Sequence, residues 1–78
     1  MKIGSRVRVK SLIEVDKKYN LKVGMVGTIT QMNNIIVFVT LDNWEHNLEG
    51  KFLLKPNEWI FTPYQVEEIN PSINEELE

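Results

Sequence analysis

Gly24 and Gly27 stand three residues apart at the head of the run Gly24-Met25-Val26-Gly27-Thr28-Ile29-Thr30-Gln31. An alternating stretch, Gly4-Ser5-Arg6-Val7-Arg8-Val9-Lys10, precedes that run, and a β-branched stretch, Ile35-Ile36-Val37-Phe38-Val39-Thr40-Leu41, follows it across two asparagines. A glycine inside a strand weakens pairing, so it marks a bulge, a sharp bend or a close approach of neighbouring backbone. Small sheets need such bends to curl. The order strand, long loop, glycine-punctuated strand, turn, strand predicts a small and strongly bent β-barrel. It constrains the fold far more than the chemistry.

The first strand alternates as a half-buried strand must: Ile3, Val7 and Val9 share one parity, and Arg6, Arg8 and Lys10 the other. Alternation then fails, and residues 11–23 read as a long loop that Leu12, Val15, Tyr19 or Leu21 pins to the core. Within it Leu12-Ile13-Glu14-Val15 has the pattern of one helical turn, too short to be stable alone. Asn33-Asn34 suits a tight hairpin, because Asn tolerates positive φ. Val37, Val39 and Leu41 share one face of the next strand, with Ile36 and Phe38 on the other. Both faces are apolar, which implies either a central strand between two layers or a surface that a partner covers. Residues 42–50 read as a second loop. Lys51-Phe52-Leu53-Leu54-Lys55 and Glu58-Trp59-Ile60-Phe61-Thr62 read as short strands, stopped by Pro56 and Pro63. Thr62-Pro63-Tyr64-Gln65 predicts a single helical turn with Thr62 as cap and Pro63 in its first position. Val66-Glu67-Glu68-Ile69 then supplies the closing strand. Residues 1–70 form the expected domain, and 71–78 an acidic, flexible tail.

The pattern Gly-x-Arg-Val-x-Val, then Val-Gly-x-x-Gly-Thr-Ile, then Val-x-Val-x-Leu-Asp resembles the KOW and Tudor-type SH3-like barrels. The ending Trp59-x-Phe61-x-Pro63-x-x-Val66-Glu67-x-Ile69 looks like the turn and final strand that close such barrels. The chain is similar in particular to small SH3-like proteins of phages, plasmids and conjugative elements of Gram-positive bacteria. The resemblance covers residues 3–69 and implies an all-β, SH3-like small barrel of five to six short strands with one closing helical turn. In KOW modules of translation and transcription factors, loops beside the glycine-containing strand contact RNA or protein. The loop 11–23 is longer than the usual KOW spacing, which weakens a transfer of those contacts. The shared residues are structural ones, so they specify fold more than function.

A 78-residue chain gains limited stability from its core, and with no cysteine it has neither a disulfide nor a thiolate metal site to add to it. Its single histidine, His46, lies in the polar run Asn43-Trp44-Glu45-His46-Asn47 and reads as a solvated loop residue. Gly24-x-x-Gly27 lacks the Lys-Ser/Thr of a phosphate-binding loop and opens no helix. Glu67-Glu68 and Glu75-Glu76 read as solvent-facing strand edge and tail. No spacing suggests a nucleophile, an acid–base pair, a metal or a cofactor, so the expected function is non-enzymatic, with no catalytic residues and no cofactor. No apolar stretch has the length of a membrane span, and the chain is expected to be cytoplasmic, without a membrane partner.

Two kinds of binding surface remain. Arg6, Arg8 and Lys10 would form a row about 7 Å apart on one strand face. Lys17, Lys18, Tyr19 and Lys22 on the next loop would extend it toward a phosphate backbone and a stacked base. The plainer reading is a strand whose cations blunt an edge against aggregation. The net charge of −2 divides into about +5 over residues 1–40 and about −7 over 41–78. A pI of 5.4 nonetheless sits poorly with a dedicated nucleic-acid binder. Among the aromatics, Trp59 and Phe61 share a parity and fit a core pair. Trp44, in a polar loop, is the better contact residue, with Phe38 beside it as a protein-binding candidate. The expected function is a binding or adaptor module of a phage or mobile element that engages a protein, as monomer or weak homodimer. The alternative is nucleic-acid binding through the basic strand and loop.

Overall fold

The computed structural model describes residues 1–45 and 55–69. Five antiparallel strands form one sheet: β1 (Arg6–Val9), β2 (Val26–Met32), β3 (Val37–Leu41), β4 (Glu58–Phe61) and β5 (Val66–Glu68), in the spatial order β4-β3-β2-β1-β5. A five-residue helix, α1 (Glu14–Lys18), lies in the long connection between β1 and β2. A 3-10 turn at Pro63–Gln65 links β4 to β5. Among the described strands, the consecutive β4 and β5 are therefore the two edges of the sheet. They do not pair with each other, so the sheet is open where a closed barrel was expected.

One face of the sheet is dry. Val7, Val9, Leu21, Ile29, Val37, Val39, Leu41, Trp44, Trp59, Phe61 and Val66 form the core, and Leu12, Tyr19, Met25 and Met32 pack against it. Period-two alternation puts these strand residues inward and Arg6, Arg8, Thr28, Phe38, Thr40 and Ile60 outward. β3 is thus a central strand of a single layer, and its second apolar face is half-exposed. Val66 packs into the core opposite Val9, as the closing-strand reading requires, while Ile69 is half-buried and donates its N–H to the Arg6 carbonyl.

Gly24 has φ +99°, the left-handed turn conformation that glycine adopts without strain. Gly27 lies inside β2 between Val7 and Leu41, and a side chain there would strike the β3 backbone at Thr40. The register shift of β2 falls between Ile29 and Gln31 rather than at Gly27, so Gly27 marks a close approach and Thr30 the irregularity.

The hairpin between β2 and β3 works differently from expectation. Neither Asn33 nor Asn34 has positive φ; among the described non-glycine residues only Asn20 does, at 65°, where it ends α1. The Asn33 side chain instead accepts the Ile35 and Ile36 N–H groups at 2.8 and 2.9 Å, while its own N–H donates to the Ile36 carbonyl. This is the side-chain mimic of a turn that Asn supplies. The turn takes in Ile35 and Ile36, so β3 begins at Val37 and Ile35 is 74% exposed.

The long connection is pinned by a residue that its polarity concealed. Asp16 is 1% exposed. Its carboxylate accepts the Ile13 N–H at 3.1 Å, the Trp59 Nε1–H at 2.9 Å and a Gln65 Nε2–H at 2.8 Å. One carboxylate thus ties together α1, β4 and the 3-10 turn. Leu12, Tyr19 and Leu21 do pack on the core, whereas Val15 is exposed. The expected strand at 51–54, His46 and the tail from residue 70 onward lie outside the described residues.

Candidate functional site

The outward face of β1 carries Arg6 and Arg8, as its alternation predicts. Arg6 already has partners on the sheet. Its Nη1 donates to Thr28 Oγ1 and to Asp42 Oδ1, both at 2.9 Å, and Nη2 pairs with Asp42 Oδ2. The Arg6 hydrogen bonds, reinforced by its charge, hold the Asp42 carboxyl below its ordinary value, and Asp42 raises that of the guanidinium. Arg8 is exposed and faces Glu67 across the β1–β5 pair, so the second cation also has an acid as its cross-strand neighbour.

The depressed Asp42 value fixes a sign. A carboxyl stabilised as the anion in the folded state contributes above its unfolded value of 3.8 and loses that contribution as pH falls through the lower, folded value. Asp42→Asn is therefore expected to flatten the acid limb of the melting profile between about pH 5 and about pH 2. Both partners are well exposed, so the effect is small at neutral pH and shrinks further with salt. Identical acid limbs for the two proteins would show that the pair contributes nothing.

Lys10, Lys17, Lys18 and Lys22 are exposed and lie on the β1–β2 connection, at the end of the sheet where β1 finishes and β2 begins. Tyr19, expected as a stacking ring, is half-buried and tilted at 47° onto Trp59, with centroids 5.1 Å apart. The basic set is therefore divided. Arg6 and Arg8 face acids on the sheet, four lysines decorate the loop, and the aromatic member supports the core.

Trp44 departs most from its expected role. It is 8% exposed, its Nε1–H donates to the Tyr19 carbonyl at 2.8 Å, and its ring meets Trp59 edge-on at 5.5 Å. Such contacts contribute about 0.5–1.5 kcal/mol beyond burial itself. Trp44 is thus a core residue on the side of the sheet opposite Phe38, and the two form no common patch.

Phe38 keeps its candidacy. It is half-buried on the outer face, opposite Ile60 on β4 and Gln31 on β2, with half-buried Ile36 and exposed Ile35 at the hairpin end. Glu58, the acid of β4, offers no charge to this surface. It is 3% exposed, and its carboxylate accepts Thr30 Oγ1–H at 2.7 Å and the Lys55 N–H at 3.4 Å. No charged residue occurs between Lys22 and Asp42. The sequence held that signal for an apolar outer face in plain view.

A cleft of about 200 Å³ opens beside Gly24, Met25, Val26, Leu41, Asp42, Asn43 and Trp44. Its one titratable side chain, Asp42, already has both oxygens engaged by Arg6. Among the described residues no three His, Cys, Asp or Glu side chains come together as metal ligands, and no helix is long and apolar enough to cross a membrane. Comparison with protein-family models, with curated proteins and with solved structures yields no significant match to this chain.

Proposed function

We propose that this chain is a non-enzymatic, SH3-like binding module that engages a protein through the outer face of β3 and β4 around Phe38. The strand order, with a 3-10 turn delivering β5 beside β1, supports the SH3-like reading. The resemblance further implies a module of a phage or mobile element.

The observation that carries the protein reading is the outer-face cluster itself. Phe38, Ile60 and Ile36 remain half-exposed in a small domain whose inner face is already filled. An aromatic anchor with aliphatic neighbours is the composition of a protein contact. Nucleic-acid binding stands second: the loop lysines favour it, but acids opposite Arg6 and Arg8 oppose it.

Affinity capture from the host that encodes the chain tests the proposal. Phe38 projects outward, so Phe38→Glu is expected to preserve the fold while abolishing capture of a stoichiometric protein. The quadruple Lys10→Glu, Lys17→Glu, Lys18→Glu, Lys22→Glu variant is expected to retain it. The reverse pattern, with recovery sensitive to nuclease and to salt, would transfer the function to the basic loop.

A further inference from the structure

The two edges of the sheet are protected to different degrees. β5 is three residues long and carries exposed Glu67 and Glu68, with Glu68 accepting the Ser5 hydroxyl and pairing with the N-terminal amine. Charges on a short strand are a standard guard against edge-to-edge pairing. β4 has the sequence Glu-Trp-Ile-Phe, and its only charge, Glu58, is turned into hydrogen bonds with Thr30 and Lys55 and buried. Among the described residues, β4 itself presents no exposed charge.

The β3–β4 register shows what the edge offers. Leu41 donates its N–H to the Asn57 carbonyl, so Asn57, Trp59 and Phe61 turn their backbone groups toward β3. Glu58 and Ile60 turn theirs outward. The Glu58 N–H is taken by the Lys55 carbonyl, but the Ile60 N–H and C=O have no partner among the described residues. A donor and an acceptor on one residue, facing out from an edge strand, form a template on which a second strand can pair.

We propose that this second strand is β4 of another copy of the chain, paired antiparallel about a two-fold axis at Ile60. In that register Ile60 exchanges both hydrogen bonds with Ile60 of the second copy. Trp59 then lies opposite Phe61 of the second copy, and Glu58 opposite Thr62, so no like charges face each other across the axis. The Ile60 side chains meet on the outer face, and the adjoining β2–β3 hairpin contributes no charge to oppose the approach. The pairing shares Ile60 with the Phe38 face, but its readout is self-association, so its failure leaves the function proposed for that face standing.

Such an interface is small, below about 1,200 Å² in total, and assembles only at high concentration. Sedimentation equilibrium of the full chain from about 1 µM to about 1 mM is expected to show the mass rising from 9.1 kDa toward twice that value. Over the same range the Ile60 amide is expected to become protected from hydrogen exchange. Ile60→Lys, which places a charge at the axis, and Ile60→Pro, which removes the donor at a position not bonded to β3, should each weaken the dimer at least about tenfold. Far-ultraviolet circular dichroism establishes that each variant is folded, and Ile60→Lys alone suffices if the proline is not tolerated. A monomer throughout the range would overturn the proposal. So would a dimer that the folded lysine variant leaves intact, or one that leaves the Ile60 amide unprotected.

Discussion

Asp16→Ala is expected to lower the unfolding free energy by roughly 3–5 kcal/mol, a large part of the roughly 4–12 kcal/mol available to a domain of this size. The substitution strands two buried donors, the Trp59 indole N–H and the Gln65 amide, and takes the acceptor from the part-buried Ile13 N–H. Each unsatisfied buried donor costs about 1–3 kcal/mol. Relief of the carboxylate's own desolvation and entry of water offset part of that sum. Asp16→Asn separates geometry from charge: it keeps the shape and one acceptor oxygen but aims an amide donor at other donors, so an intermediate loss of about 1–3 kcal/mol is expected. Urea unfolding followed by tryptophan emission measures both, since Trp59 is bonded to this carboxylate. A loss below about 1 kcal/mol for Asp16→Ala would mean that the hub is dispensable and that the apolar contacts of Leu12, Tyr19 and Leu21 hold the loop alone.

Why Asp16 was not legible in the sequence follows from what pattern reading uses. An acid among Glu14, Lys17 and Lys18 reads as solvated, and its partners Trp59 and Gln65 lie 43 and 49 residues away. Trp44 misled in the same way. Its polar neighbours in sequence suggested exposure, yet it is covered by Tyr19 and Trp59, which arrive from other parts of the chain. Features set by local periodicity were readable: the inward and outward sets of β1, the 3-10 turn opening on Pro63 after Thr62, and Val66 as the inward residue of the last strand. There Gln65 also accepts the Thr62 N–H with its side chain while its amide reaches Asp16, so the closing turn and the long loop are locked by one residue. The outer-face cluster around Phe38 lay between these cases. Two apolar faces on one strand announced a surface, and only the register supplied Ile60 as its neighbour. The acids beside the basic row were hidden for a similar reason, because alternation shows which side chains share a face but not that Asp42 and Glu67 arrive opposite them.

Gly27→Ala gives a result whose sign alone is decisive. At an ordinary strand position, replacing Gly by Ala stabilises by roughly 0.5–1 kcal/mol, because glycine loses more backbone freedom on folding. At Gly27 the added methyl would press on the Thr40 carbonyl oxygen, lie 2.6 Å from Val39 Cγ1 and come within 3.0 Å of the Thr40 carbonyl carbon. A flexible side-chain tip can swing aside, but the Thr40 carbonyl is backbone of β3, which is held between β2 and β4. Relief requires β2 and β3 to separate where Gly27 pairs with Leu41 and Thr28 with Thr40. Overpacking of this kind costs about 1–3 kcal/mol, so Ala is expected to destabilise where propensity alone would have it stabilise. Gly27→Val, with two further methyl groups on the inner face between Val7 and Leu41, is expected to cost more than Ala, despite the higher strand propensity of valine. The order glycine, alanine, valine of falling stability in denaturant unfolding would identify close backbone approach as the reason for the glycine. A rise in stability from glycine to alanine would show that β2 and β3 are farther apart at this point, and that Gly27 owes its place to something other than packing.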